Sequence, residues 1–453
     1  MSPLFILVTA VFSAVFLIVR LRLNPFLALI GSGILVGVMA PGVRLDTVMK
    51  ELGVRFGSVA GSIGISIVAA AIVGQCLMES GAADKITRRF VAWLGEKHAS
   101  LSMVVCGYVL AVPVFFDTVF YLLVPLARAM SIRRGGRNYV LYALAISAGG
   151  STTHVFVPPT PGPIAMSATL GVDLGLTILI GLAVALPSSL VGWFYCVWID
   201  RRLALPIREA PGLSLAVLEE VSKRPENELP GFWASMAPIL LPVILITGNT
   251  VTEAVAKGTG IARAFAFVGH PSFALTASAI SGLWVLSRHR RLTLQQLSKP
   301  IETAVASAGT IILITSAGGA FGGMLVLAGV GDALGALSQS MGLSLIWMGF
   351  FLAILFKVAQ GSATVTMITV SSILAPLVLK SPPPYNPVYL VMAVGAGSLI
   401  GVWMNDSGFW VYRTMTGLTE VESLKTKSAL MAIMGAVAIL ITVLLAQLLP
   451  LHH

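Results

Sequence analysis

Residues 151–166 read "STTHVFVPPTPGPIAM", a histidine, four prolines and a glycine set inside an otherwise apolar chain. Proline lacks an N–H and turns the residue before it away from helix, so this segment breaks any helix that enters it. The 453-residue chain around it is 57% hydrophobic and only 11% charged, with a mean hydropathy of +0.92. Soluble domains carry about a quarter charged residues, so the chain is expected to be an all-α polytopic membrane protein. Within hydrocarbon, a broken helix survives only where protein or a water-filled cavity satisfies the freed backbone groups. The break therefore marks a place where backbone N–H and C=O groups are available as ligands.

Apolar runs separated by charged loops predict spans near 4–19, 25–40, 58–80, 139–170, 176–198, 233–250, 272–287, 303–330, 388–418 and 429–449. No cleavable signal precedes the first run, which is long enough to remain a span. Lys and Arg gather on the cytoplasmic side. Arg20 and Arg22 after the first span put the N-terminus outside, and continuing the rule leaves the C-terminus outside as well. Basic residues flank the run "LSMVVCGYVLAVPVFFDTVFYLLVPLA" (101–127) on both sides, Lys85, Arg88 and Arg89 before it and Arg128, Arg133, Arg134 and Arg137 after it. Two crossings need about 40 residues and the run has 27, which predicts a re-entrant hairpin over 100–127 with its tip at 113–117. A second hairpin is expected over 344–379, with its tip at "QGSAT" (360–364). The formal net charge of +10 then reports cytoplasmic loops rather than nucleic-acid binding.

A shift of 248 residues aligns "VAGSIGISIVAAAIVGQCLMESGAAD" (59–84) with "SAGTIILITSAGGAFGGMLVLAGVGD" (307–332), with eight of 26 positions identical; composition alone gives roughly two or three. The same shift pairs Pro113 with Gly361, Pro158 with Asp406, and Ala148-Gly149 with Ala396-Gly397. One copy begins outside and the other inside, so the expected fold class is two inverted-topology repeats, each with a re-entrant helical hairpin and a broken transmembrane helix. Secondary transporters are built on this plan, with the site at the midplane where the helices break. The expected organisation is N-terminal helices over 1–56; repeat 1 over 57–198, with its hairpin and the broken helix 139–170; a cytoplasmic linker over 199–232; connecting helices over 233–302; and repeat 2 over 303–453, with the broken helix 388–418.

Four interruptions, "VPVFFDT" (112–118), "VPPTPGP" (157–163), "AQGSATVT" (359–366) and "MNDSGF" (404–409), are expected to converge on one central cavity. Ionisable residues at membrane depth cost roughly 2.5–3.5 kcal/mol each on insertion scales, and so are functional candidates. Asp117, at the first tip, reads as a proton or cation site or as a hairpin cap. His154 reads as a titrating or substrate-bonding histidine or as a packing one. Lys357 suits an anionic substrate, or snorkels. Asp406 caps a half-helix or binds a proton or cation. Gln360, Gly361, Ser362, Thr364, Asn405 and Ser407 supply hydrogen bonds for a hydroxylated substrate, as do Thr160, Pro161 and Gly162 at the proline-rich break. Glu79, Asp84, Asp173 and Asp332 sit near span edges, in solvated or helix-end positions. Cys76, Cys106 and Cys196 form no metal spacing and read as buried small hydrophobes.

At these residues the chain resembles the gluconate:proton symporter (GntP) family of the ion transporter superfamily. The stretches "PVFFDTVFYLLVPLA" (113–127), "THVFVPPTPGPIA" (153–165), "QGSATVTM" (360–367) and "NDSGFW" (405–410) carry the resemblance. It implies proton-coupled uptake of gluconate or a related small hydroxylated carboxylate across the bacterial inner membrane, by a homodimer without a cofactor. The chain departs from the family pattern at Asp117, where glutamate is common, and at Thr160, where histidine is common. Sodium coupling through "QGSAT" and "ND" oxygens, and a channel, are the alternatives. An enzyme is not expected, since HExxH, a nucleophile elbow and zinc spacing are all lacking.

Overall fold

The computed structural model describes residues 2–21, 23–95, 98–113, 115–133, 135–136, 138–203, 205, 207–208, 228–330, 333, 344–380, 382–404 and 406–451. Among them the chain is all helical. In chain order the helices are α1 (Pro3–Val15), α2 (Pro25–Met39), α3 (Val48–Ser80), α4 (Ala82–Leu94), α5 (Ala99–Leu110) and α6 (Phe116–Arg133). Next come α7 (Tyr139–Phe156), α8 (Pro161–Leu170), α9 (Leu174–Leu203), α10 (Phe232–Val255), α11 (Gly260–Val268) and α12 (Pro271–Arg290). The last are α13 (Ser298–Leu327), α14 (Leu345–Gln360), α15 (Ala363–Lys380), α16 (Val388–Leu399), α17 (Ser407–Thr416) and α18 (Glu420–Leu448). With α7 and α8 counted together as one span (Tyr139–Leu170), seven of the described helical segments are long and apolar enough to cross a membrane, or eight when α11 and α12, bent by 63° to each other, also count as one span.

Several expected boundaries move. The span expected at 58–80 begins ten residues earlier, so the boundary at 56 falls inside α3, and the boundary at 302 falls inside α13. Between the spans expected at 233–250 and 272–287 lies the short helix α11, which the charge of Arg263 hid from a hydropathy reading. Most of the expected linker 199–232 and the edge residue Asp332 lie outside the described residues.

Each expected interruption is a real gap between helices, with a local cause. Helix α5 ends before Pro113, and α6 begins at Phe116. Pro158 and Pro159 end α7, and Pro161 at the first position of α8 restarts the helix with a φ already suited to it. Gly361, at φ +87°, closes α14, and its N–H donates to the Lys357 carbonyl, a conformation glycine adopts without a Cβ penalty. Gly401, also at φ +87°, opens the gap after α16. The indole of Trp403 donates to the Val358 carbonyl at 3.1 Å, and that of Trp410 to the Met404 carbonyl at 2.8 Å, which fixes this loop.

Packing follows the shift of 248 residues. Helix α5 lies against α7 and α14 against α16, while α7 lies against α9 and α16 against α18. A Cβ on Gly149 would collide with the Val104 carbonyl and the Tyr108 amide, and one on Gly397 with the Phe350 carbonyl. Bare backbone at these two matched positions is what lets helices meet closely where lipid offers no hydrophobic drive. Helix α7 is buried almost throughout and α16 entirely. By contrast α10, α13 and α18 present large apolar side chains outward, among them Trp233, Ile244, Leu313 and Leu440, as a lipid-facing surface requires. Cys76, Cys106 and Cys196 are buried and free.

Candidate functional site

The breaks after α5, α14 and α16, together with the last turns of α7, surround a cavity of about 260 Å³. Of the residues singled out from sequence, Asp117, His154, Lys357, Ser362, Thr364, Asp406 and Ser407 line it. Asp117 sits in the first turn of α6, where the helix dipole favours a carboxylate. Its Oδ2 accepts a hydrogen bond from the Ser407 hydroxyl at 3.3 Å. Asp406 is the N-cap of α17: its Oδ1 accepts from the Phe409 N–H at 2.9 Å. Both carboxylates face Gly408, where a Cβ would lie 3.0 Å from Asp406 Oδ1 and 3.3 Å from Asp117 Oδ1.

Lys357 is 1% exposed. Its ammonium is ion-paired with the Asp406 carboxylate and also donates to the Gly361 carbonyl, so snorkelling does not describe it. Asp406 thus ends the shared break with two duties, neutralising Lys357 and capping α17. The ring of His154 packs on Phe115 with centroids 5.8 Å apart. Its Nδ1 is buried and has no hydrogen-bond partner among the described residues, a group whose desolvation goes uncompensated until something bonds to it.

One expectation changes. The proline-rich break does not join the other three around a single cavity: Pro159, Thr160 and Pro161 line a second cavity of about 190 Å³, with Gln75, Thr303 and Ser307 on its far walls. Thr160 donates its hydroxyl to the Val157 carbonyl at 2.7 Å, and Gly162 packs against Met367. The physical reason is that the break redirects the chain. His154 lies before it on α7 and faces the charged residues, while Thr160 lies beyond it at the start of α8. Phe115 lines both cavities. Asn405 and the side chain of Gln360 lie outside the described residues. Asp173 takes the expected helix-end role, with Oδ1 accepting from the Leu176 N–H at 2.7 Å and the Thr250 hydroxyl at 2.6 Å.

The sequence reading missed Lys427, which falls between the spans expected at 388–418 and 429–449. It lines the first cavity and is 2% exposed. A five-residue π segment, Leu424–Ser428, turns Lys427 inward while Lys425 stays outside; π-bulges of this kind recur at functional sites. One signal was legible. "TEVE" (419–422) forms a capping box in which the Thr419 hydroxyl and Glu422 carboxylate satisfy each other's backbone N–H groups. That box starts a helix early enough to carry Lys427 with it.

The membrane-length helices, the breaks between them and the buried charged cavity fit a polytopic membrane transporter. The sequence profile of the GntP family permeases matches residues 2–449, and the chain belongs to that family. It is 32% identical over 437 residues to a gluconate permease of Pseudomonas aeruginosa, covering 96% of this chain and 95% of that one. It is 30% identical over 442 residues to the Gnt-II system L-idonate transporter of Escherichia coli, covering 97% and 98%. In fold it is similar to MtrF of Neisseria gonorrhoeae, with a TM-score of 0.68 at 15% identity over 94% of this chain and 96% of that one. It also resembles the YdaH transporter of Alcanivorax borkumensis, with a TM-score of 0.64 at 14% identity over 95% and 100%.

Proposed function

We propose that this permease takes up gluconate or a closely related small hydroxylated carboxylate across the bacterial inner membrane, coupled to proton entry. The supporting observation is the first cavity. It gathers Asp117, His154 and the Lys357–Asp406 pair at the ends of broken helices, and the relatives that match along nearly their whole chains include a gluconate permease and an L-idonate transporter. Its volume of about 260 Å³ is just below the usual range for small-ligand sites, which suits a small acid. The start of α15 at Ala363 and that of α17 at Ser407 open into it, and helix N-termini attract anions. Ser362, Thr364, Ser407 and the unpartnered His154 Nδ1 present hydrogen-bonding groups to substrate hydroxyls.

Asp117 is the proton carrier in this reading. It shares the cavity with Asp406, Lys357, Lys427 and His154. A substrate anion entering alone would add an uncompensated charge to a desolvated site, and a proton entering alone would remove one. Loading both together avoids either penalty. Two inverted repeats moving against each other would then expose the cavity to each side in turn, with both termini outside and two copies per assembly.

The test is uptake of labelled gluconate, idonate and glycerate into proteoliposomes, with and without an inward proton gradient and in the absence of Na⁺. Gradient-dependent accumulation of one of them supports the reading. Accumulation that appears only on adding Na⁺ replaces the proton with sodium. Equilibration without uphill accumulation makes the protein a channel, and movement of none removes sugar acids as the substrates.

A further inference from the structure

The two buried lysines of the first cavity are in different situations. The Lys357 ammonium is neutralised inside the protein by Asp406 and also holds the Gly361 carbonyl. Lys427 has no carboxylate at ion-pair distance among the described residues. Its Nζ lies 3.8 Å from the centroid of the Phe116 ring and 3.3 Å from Ser151 Oγ. An ammonium carries three N–H donors, and Ser151 is the single hydrogen-bond acceptor that the described residues offer it. Burying a cation costs more than a single aromatic face returns. The remaining donors belong to a group that lines an open cavity. The π segment is what places that group there, two residues from a lysine that stays outside.

We propose that Lys427 is the anchor for the substrate's carboxylate. Its ammonium donates to the carboxylate oxygens, the Phe116 ring lies against it, and Ser151 orients it; Lys357 is then a structural cation rather than the ligand. The inference rests on the carboxylate-uptake reading above and sharpens it. Lys357 and Lys427 balance Asp117 and Asp406 in the empty cavity. One bound monocarboxylate therefore creates a single excess negative charge, which one proton on Asp117 removes.

The experiment measures equilibrium binding of gluconate and of gluconamide, its uncharged carboxamide, to the purified full-length chain in nanodiscs by isothermal titration calorimetry. The wild type is expected to favour gluconate. In Lys427→Gln, gluconate affinity is expected to fall about ten- to a hundred-fold, the loss of a charge-assisted hydrogen bond. Gluconamide affinity is expected to stay unchanged, so that the preference collapses, and Lys427→Arg should restore it. A general loss of structure would weaken both ligands together and so cannot imitate this pattern. Ser151→Asp provides an independent route should Lys427→Gln not fold, because it places a carboxylate beside the ammonium; it should likewise erase the preference for gluconate. Retention of that preference in Lys427→Gln, or in Ser151→Asp, overturns the proposal while leaving sugar-acid uptake intact. Wild-type protein that binds neither gluconate, idonate nor glycerate overturns both together.

Discussion

The Lys357–Asp406 pair shows what a buried charge does at the scale of one residue. Lys357→Met would leave the Asp406 carboxylate, 9% exposed, without its counter-ion. Breaking a buried pair in this way costs about 3–5 kcal/mol. Lys357→Met with Asp406→Asn should recover most of that loss, because asparagine still caps α17 and no orphan charge remains. Thermal unfolding in detergent of the two single variants and the double variant checks this; additive losses would mean that the pair is not coupled. Asp117 makes a different prediction. Asp117→Asn keeps a hydrogen-bond acceptor for Ser407 but cannot carry a proton, so gradient-driven accumulation should disappear while exchange of substrate across the membrane continues. Wild-type accumulation by this variant would remove Asp117 from the coupling step. Asp117, His154, Lys357 and Asp406 were each legible in the sequence, because an ionisable side chain beside a helix breaker in an apolar run stands out. Lys427 was not, because nothing in "LTEVESLKTKSAL" (418–430) distinguishes it from Lys425 until the π segment is seen.

Among the elements, the breaks are set by local chemistry and the contacts by bare backbone. Gly149→Leu would drive a side chain into the backbone of α5 at Val104 and Tyr108. Overpacking costs about 1–3 kcal/mol even where side chains yield, and here the obstacle is backbone. The variant should fall at or beyond the upper end of that range, read as a lowered unfolding temperature with no rescue by substrate. The ion pair joining Arg208 to Glu422, at 2.7 and 2.8 Å, is a contrasting case. It ties the first part of the linker to the capping box at the start of α18, but the Arg208 side chain is 35% exposed. Arg208→Ala is therefore expected to cost no more than about 1 kcal/mol in the same unfolding assay, and a larger loss would show that the linker does more than tether. The helix gaps at 113, 158 and 361 were legible from proline and glycine, whereas the one expected at 404–409 opens earlier, at Gly401. The early start of α3 was not, because Lys50, Glu51 and Arg55 depress the hydropathy of its first turns while α3 continues unbroken.

For the whole molecule, the open quantity is sidedness. The charge pattern predicts that both termini lie outside. Alkaline phosphatase fused after His453 should then be active, and a fluorescent protein fused there should be dark. The opposite result would invert the assigned direction of every span. Helix α5 lies against α7 and α14 against α16, and the similar folds of MtrF and YdaH cover nearly the whole chain.

By itself the sequence determined that this chain is a polytopic helical membrane protein, where its helices break, and which permease family it belongs to. Those properties depend on hydropathy, on proline and glycine, and on motif spacing, all of which are local in the chain. Tertiary structure alone decided how the breaks are shared out: Thr160 to one cavity, His154 to another, with Phe115 lining both. It also decided that Lys357 is already paired and that Lys427 faces the same cavity from a helix nearly 70 residues further on. The reason is physical. Whether a buried charge is neutralised or available depends on which side chain lies within a few ångströms of it, and that distance is set by how helices far apart in sequence pack together.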